Sequence, residues 1–314
     1  MRTVVTGGAG FIGSHLVDAL AAAGDEVHVV DNLSTGRRER IATTATLHRF
    51  DVADTEALRA MVETHGPMDR WFHMAAQADV RVSVDDPIAD AHTNVLGTIA
   101  VLEAARANNA PVVFASTGGA IYGEVAPPCS ESATEAPVSF YGAAKLAAEK
   151  YIETHARLYG LRHAIVRYAN VYGPRQDPHG EAGVVAIFGG RAIADDDVTI
   201  YGDGRQTRDY VYVGDVVETT ISAGVHATSL PDGSEVPVLN VGTGTETSVL
   251  ELWEVIRDVA GSSAAYTLAP ARAGEVQRSA LDATHARSAL GVGIDTPLRD
   301  GLARTIEWMR SSSS

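Results

Sequence analysis

Residues 2–20 read RTVVTGGAGFIGSHLVDAL, and the fold is decided at the junction inside that stretch. The run 2–6 has the Val and Thr content of a short strand. From about 11 to 23 the apolar residues recur at helical spacing. Between the two lies Gly7-x-x-Gly10-x-x-Gly13. Glycines at a strand-to-helix turn allow a tight bend, close approach of a pyrophosphate, and close packing of helix on strand. The free amides and dipole of the helix N-terminus suit phosphate oxygens. The stretch therefore predicts a βαβ unit that binds a dinucleotide.

The pattern continues outward from that unit. EVHVV (26–30) reads as a second strand, and Asp31 ends it, 18 residues beyond Gly13. A carboxylate there accepts hydrogen bonds from the adenosine ribose hydroxyls and repels a 2′-phosphate, which favours NAD over NADP. The rival reading has Arg37 and Arg38 hold a 2′-phosphate, although a solvent-facing loop suits both. Asp51 follows a third strand near 46–50 and serves either adenine or a helix cap. RWFHM (70–74) precedes HMAAQA, whose small residues let a cofactor lie across the sheet edge, and His73 reads as a core histidine. Helices near 54–64, 88–108 and 139–159 alternate with strands at 111–116 and 162–168. This βαβα rhythm predicts an α/β fold, a doubly wound parallel Rossmann sheet covered on both faces.

After residue 168 the rhythm loosens. NVYGPRQDPHGEAG is rich in Gly, Pro and charge and reads as a functional loop. A helix near 182–194, the strand VTIYG, the segment RDYVYVGDVV, a strand in 237–244 and a helix after Thr247 follow. A loop around 268–282 and a terminal helix near 297–310 complete the chain. The organisation expected is an NAD-binding domain at 1–168, to which 209–263 returns. A smaller mixed C-terminal substrate lobe, 169–314, draws chiefly on 169–208 and 264–314.

Composition narrows the function. The 314 residues carry a net charge of -15, which argues against nucleic acid or an anionic membrane as partner. Any anionic ligand must be met by local arginines, amides and helix ends. Cys129 is the only cysteine, so an internal disulfide is excluded. Neither a secretory signal nor a membrane-length apolar run is recognisable, and a cytoplasmic protein is expected.

Tyr141 and Lys145 lie four residues apart in SFYGAAKLAAEKYIE, on one face of an expected helix. A neighbouring ammonium and a cationic cofactor ring favour the phenolate over the phenol. Such a tyrosine can exchange a proton with an alcohol or sugar hydroxyl near neutral pH. The chain has 23 arginines and only two lysines, Lys145 and Lys150, so a lysine at this place is less readily filler.

With these residues in hand a family comes into view. TGGAGFIGS, DNLSTG, HMAAQADV, NVLGT, ASTGGAIYG, YGAAK, RYANVYGPRQDPHGEAG, YGDGRQTRDYVYVGD and NVGTG follow in order through residue 244. The chain resembles the extended short-chain dehydrogenase/reductases, and within them the UDP-glucose 4-epimerases. The resemblance implies a tightly held NAD, a sugar 4-hydroxyl deprotonated by Tyr141, and a transient 4-keto sugar. That keto sugar turns its other face before the hydride and proton return. Lys145 would hold the nicotinamide ribose.

For the cofactor, the matched motifs imply Gly7, Gly10, Phe11, Ile12 and Gly13 at the pyrophosphate. They imply Asp31, Asn32, Ser34, Thr35 and Gly36 at the adenosine ribose, with Asp51 and Val52 by adenine. Ala75, Ala76, Gln77, Asn94, Ser116 and Tyr168 would complete the cofactor wall. For the catalytic hydroxyl the chain departs from the pattern: the usual Ser or Thr position falls on Gly118. The nearest hydroxyls are Thr117 and Ser116. Epimerases that read Thr-Gly-Gly there point to Thr117 as partner of the sugar 4-oxygen. The acidic pair of the related 4,6-dehydratases is replaced by Gly118 and Gly119 followed by Ala120, so dehydration lacks its proton donor.

On the substrate side the resemblance implies Arg208 and Arg272 at the diphosphate and Glu275, where Asp is commoner, at the uridine ribose. Asn170, Val184 and Tyr210 would add to the nucleotide-sugar site, and Arg175 serves either that site or a loop salt bridge. Ser279 falls where enzymes restricted to unmodified hexoses carry a bulky Tyr, leaving room for a 2-acetamido group. Alternatives are a 4-epimerase of another nucleotide sugar (UDP-N-acetylglucosamine, UDP-glucuronate or a dTDP-hexose), a nucleotide-sugar reductase, and a non-catalytic NAD sensor. No metal is implied. A homodimer through helices near 88–108 and 139–159 is expected, with Val95, Ile99, Leu102 and Ala105 as an apolar stripe that could equally face the sheet.

Overall fold

The structure, a computed structural model, describes residues 1–178, 183–231, 233–271 and 276–312. In chain order its first half comprises β1 (Arg2–Thr6), α1 (Phe11–Ala22), β2 (Glu26–Val30), β3 (Thr46–His48), α2 (Thr55–His65), β4 (Arg70–His73), α3 (Val80–Asp85), α4 (Pro87–Ala91), a π-helical turn at His92–Leu96, α5 (Gly97–Arg106), β5 (Val112–Thr117), α6 (Gly118–Ile121), α7 (Phe140–Tyr159) and β6 (Ala164–Tyr168). There follow β7 (Asn170–Tyr172), α8 (Val184–Ala194), β8 (Val198–Tyr201), β9 (Thr207–Arg208), β10 (Tyr210–Tyr212), α9 (Val213–Ser229), β11 (Val238–Val241), β12 (Thr247–Ser248), α10 (Val249–Ala260), β13 (Tyr266–Ala269), α11 (Thr284–Leu290) and α12 (Leu298–Ser312).

Seven strands form one parallel sheet in the order β11-β6-β5-β4-β1-β2-β3. The order reverses between β1 and β4, and the carboxyl ends of these strands open a crevice there. Both faces of the sheet are covered, and the strands show it residue by residue. Val5 and Val113 enter one apolar core with α1 and α9. Their neighbours Val4, Val112 and Phe114 enter the opposite core with α2, α5 and α7. Alternate side chains of one strand thus serve two cores, which is why these runs are apolar throughout.

A third core lies beyond the sheet. Trp253 of α10 packs edge-on against Phe188 of α8 with ring centroids 5.4 Å apart, and Leu302 and Ile306 of α12 close it. Ser248 and Glu251 form a reciprocal capping box that starts α10. β13, in a region expected to be loop, pairs in parallel with β8. Its side chains are mostly exposed, so its own pattern carried little signal.

The helix expected at 88–108 is broken. The π-helical turn centres on Asn94, whose amide donates to the Gln77 carbonyl at 2.8 Å and to Asp90 at 3.0 Å. The proposed dimer stripe also divides. Leu102 and Ala105 are buried in the chain's own core, so that part of the stripe faces the sheet. The described residues contain no helix long and apolar enough to cross a membrane.

Candidate active site

A cleft of about 750 Å³ runs along the carboxyl ends of the strands. Its floor is the glycine turn. Gly7 has φ of +67°, and a Cβ there would lie 2.6 Å from the amide nitrogen of Ala75. A Cβ on Gly13 would run into the carbonyl oxygen of Gly7. Glycine at both positions lets strand, turn and α1 pack closer than any side chain would permit. That shape and the free amides of the α1 N-terminus fit the pyrophosphate of a dinucleotide.

Asp31 stands at the end of β2, buried, with one oxygen accepting from the Ala9 amide at 2.9 Å and the other from Leu33 at 2.8 Å. Its carboxylate is thereby fixed against the glycine turn. Asn32 reaches Asp51 at 3.1 Å, linking the ends of β2 and β3. Arg37 is ion-paired with Asp177 at 3.1 Å, which engages one of the two arginines of the rival phosphate reading. Phe11, Ile12, Ser34, Thr35, Gly36, Asp51, Val52, Ala75, Ala76, Gln77 and Tyr168 also line the cleft. Asn94 does not. It sits one layer behind, accepting the Gln77 amide at 3.2 Å.

The catalytic candidates gather at the ends of β5 and α7. Ser139 caps α7 by accepting the Gly142 amide at 3.1 Å, which sets Tyr141 in the first turn facing the cleft. Lys145, one turn on, is buried and donates to the Ala115 carbonyl at 2.9 Å. Its ammonium lies 4.6 Å from the centre of the Phe114 ring. His73 is a core residue, bridging Thr6 at 2.7 Å and Thr98 at 3.0 Å. Burial, helped by the Lys145 charge, pushes its imidazole down to about 3.

The two candidate hydroxyls differ in their partners. Ser116 donates to the buried carboxylate of Glu149 at 2.5 Å. Glu149 is also held by Arg167, Nε at 3.0 Å and Nη2 at 2.5 Å. Arg167 in turn donates to Tyr122 at 2.9 Å, and Tyr122 to Asn240 at 2.9 Å. Burial alone would lower the Arg167 guanidinium, but Glu149 outweighs it and raises it. Thr117 makes no such side-chain bond among the described residues. A Cβ built on Gly119 would lie 3.9 Å from both Thr117 Oγ1 and Asn170 Oδ1, so these two polar atoms converge on one place in the cleft.

Asn170 and Arg208 both line the cleft. Of the other expected substrate residues, Thr117 and Tyr141 line it too, whereas Gly118, Arg175, Val184, Tyr210 and Ser279 do not. Gly118 packs beneath Leu281, where a Cβ would collide. Arg175 pairs with Asp18 of α1 at 2.6 Å. Val184 opens α8 and Tyr210 is buried in β10, both outside the lining. Ser279 is half-buried and outside it as well. Arg272 and Glu275 lie outside the described residues. Sequence reasoning passed over Asp79, Val80, Val82 and Gln176, which line the cleft. Asp79 carried a cap signature, since it accepts the Arg81 amide at the start of α3.

The chain is similar to known proteins over its whole length. The model of the NAD dependent epimerase/dehydratase family matches residues 3–242. The UDP-glucose 4-epimerase of Mycolicibacterium smegmatis is 44% identical, with 100% of both chains covered. The crystal structure of UDP-glucose 4-epimerase from Thermotoga maritima with UDP-glucose superposes with a TM-score of 0.93 at 43% identity, covering 100% of both chains. That of the Thermus thermophilus enzyme in complex with NAD gives 0.90 at 42% identity, covering 99% of this chain and 100% of the other.

Proposed function

The chain belongs to the NAD-dependent epimerase/dehydratase family, and on that premise we propose that it inverts C4 of a UDP-hexose, interconverting UDP-glucose and UDP-galactose. The observation that carries the reading is Tyr141 and Lys145 facing one cleft with the glycine turn and Asp31. Bound NAD supplies the hydride acceptor and donor at its nicotinamide ring. Gly7, Gly10 and Gly13 leave room for its pyrophosphate, and Asp31 receives the adenosine ribose.

Tyr141 takes the proton from the sugar 4-hydroxyl and later returns it to the 4-oxygen on the other face. Lys145 supplies positive charge beside that exchange and holds the nicotinamide ribose. Thr117, with its hydroxyl facing the cleft and not taken by another side chain, steadies the 4-oxygen. Ser116 is committed to Glu149 and serves the scaffold. Asn170 and Arg208 meet the diphosphate, and Arg's planar fork suits phosphate oxygens. Gly118, Gly119 and Ala120 stand where the related dehydratases carry their acidic pair, so the proton donor of that position is missing.

The reading extends to assembly and setting. A homodimer is supported by large apolar side chains left exposed on α4, the π-helical turn and α7, among them Ile88, Leu96, Phe140, Tyr151 and Leu158. A cytoplasmic setting suits a chain whose one cysteine, Cys129, is a free thiol. The test is direct. Purified protein is given UDP-galactose without added cofactor, and UDP-glucose is expected to form. Tyr141→Phe is expected to stop turnover by more than 100-fold while NAD remains bound; near-normal rates in that variant would remove Tyr141 from its role.

A further inference from the structure

Three imidazoles meet at the free edge of the main sheet, apart from the cleft lining. His28 lies in the middle of β2, His48 ends the edge strand β3, and His65 closes the last turn of α2. One ring nitrogen of each lies within 4.8 Å of the other two. His28 Nδ1 is 2.9 Å from His48 Nε2, and His28 Nε2 is 3.2 Å from a carboxylate oxygen of Glu26. His28 is buried, whereas His48 and His65 are half-buried, so the cluster has a route to solvent.

A simple hydrogen-bonded stack explains only part of this. The His28 and His48 rings are stacked at 18°. His65 stands at steep angles to both, centroids 4.9 Å away, and among the described residues no hydrogen bond joins it to either. Three imidazole nitrogens gathered this closely from three different elements are ready donors for one metal ion.

We propose that His28, His48 and His65 form a binding site for a Zn²⁺-class transition ion, with water as a further ligand. Neutral nitrogen donors select Zn²⁺, Ni²⁺ or Cu²⁺ over Mg²⁺ and Ca²⁺. Zn–N bonds of about 2.0–2.1 Å would draw the three nitrogens together, and the half-exposed His65 at a helix end is free to make most of that movement. The ion would tie β2, β3 and α2 into one unit. The His48 carbonyl accepts the Asp31 backbone amide at 3.2 Å, so the fastened strand is the one beside the ribose-binding carboxylate. The role is structural, and the epimerisation chemistry does not pass through it.

The test uses untagged, full-length protein stripped with chelator and desalted. Zn²⁺ is titrated by calorimetry with Mg²⁺ as control, and Co²⁺ binding is followed by its visible absorption. One Zn²⁺ per chain, no Mg²⁺ binding and a raised Tm are expected. His48→Ala and His65→Gln should each weaken Zn²⁺ by tenfold or more and erase the Co²⁺ bands. Circular dichroism and retained sugar turnover in His65→Gln establish that its fold is intact. Less than a tenth of an equivalent bound at micromolar Zn²⁺, or equal affinity in both variants, would overturn the proposal.

Discussion

Ser116 and Thr117 are adjacent, and replacing each should produce opposite signatures. Ser116→Ala removes a hydroxyl that donates to the buried Glu149 carboxylate at 2.5 Å. A hydrogen bond to a charged group contributes about 1.5–3 kcal/mol. Glu149 keeps both Arg167 contacts, so the charge remains paired and the loss should stay near 2 kcal/mol. For a chain of this size that lowers Tm by about 3 °C. Turnover should stay within about threefold: Ser116 also lines the cleft, but the hydroxyl removed is the one held by Glu149. Thr117→Val keeps the β-branched shape and deletes only the cleft-facing hydroxyl. Removing one donor to a developing oxyanion costs about 100-fold or more in kcat, while Tm should move by no more than about 1 °C. The assay is initial-rate conversion of UDP-galactose beside a thermal melt of the same preparation. A Ser116→Ala enzyme that melts normally but loses 100-fold in rate, with Thr117→Val active, would reverse the assignment and refute the argument from Glu149.

Two further outcomes follow from groups outside the cleft. Burial holds His73 and His163 each down to about 3, below the ordinary imidazole value. Between about pH 6.5 and 3 the unfolded chain therefore takes up protons that the folded chain refuses, and stability falls as pH falls. Each ring contributes about 1.4 kcal/mol per pH unit, so these two account for about 4 kcal/mol of the stability lost in urea melts between pH 7 and pH 5, beside what other lowered imidazoles such as His48 add. His163→Asn, whose side-chain oxygen can still accept the Val112 amide held at 3.0 Å, should take about 2 kcal/mol off that loss; an unchanged slope would remove His163 from the account. For the dimer, sedimentation at micromolar concentration should give twice the chain mass, and the double variant Tyr151→Glu, Leu158→Glu should shift it toward monomer. Wild-type protein sedimenting as a monomer would reject the α7 face as an interface.

The legibility of the chain divides along physical lines. The glycine turn could be read because its constraint is local: only glycine leaves the space in front of Ala75 and Gly7. The strands could be read because burial on both faces removes polar residues from them. Tyr141 and Lys145 could be read because helical spacing alone decides that they share a face. None of these inferences needs a distant partner. β13 was hidden for the converse reason. It is a four-residue strand with exposed side chains, held by pairing to β8 some 65 residues earlier, and its own pattern does not encode that pairing. Arg175 is similar: its sequence leaves it between a substrate contact and a loop salt bridge, and what decides is Asp18, 157 residues away in sequence.

The catalytic hydroxyl shows where the boundary falls. In sequence, Ser116 and Thr117 are equivalent candidates at a strand end, and alternation along β5 shows only that they point to opposite sides. What separates them is that Glu149 lies behind Ser116. Glu149 is four residues beyond Lys145 on α7, so both lie along the buried side of that helix; the structure indeed buries both. A carboxylate inside a helix that packs on a sheet must find a cation or be expelled. The one arginine in the middle of the apolar run AIVRY, Arg167, was the available partner. Two charged residues at positions where the pattern demands apolar ones are therefore a joint signal. Read together, they would have predicted a buried pair beneath the end of β5, with Ser116 its natural third member and Thr117 left to the cleft.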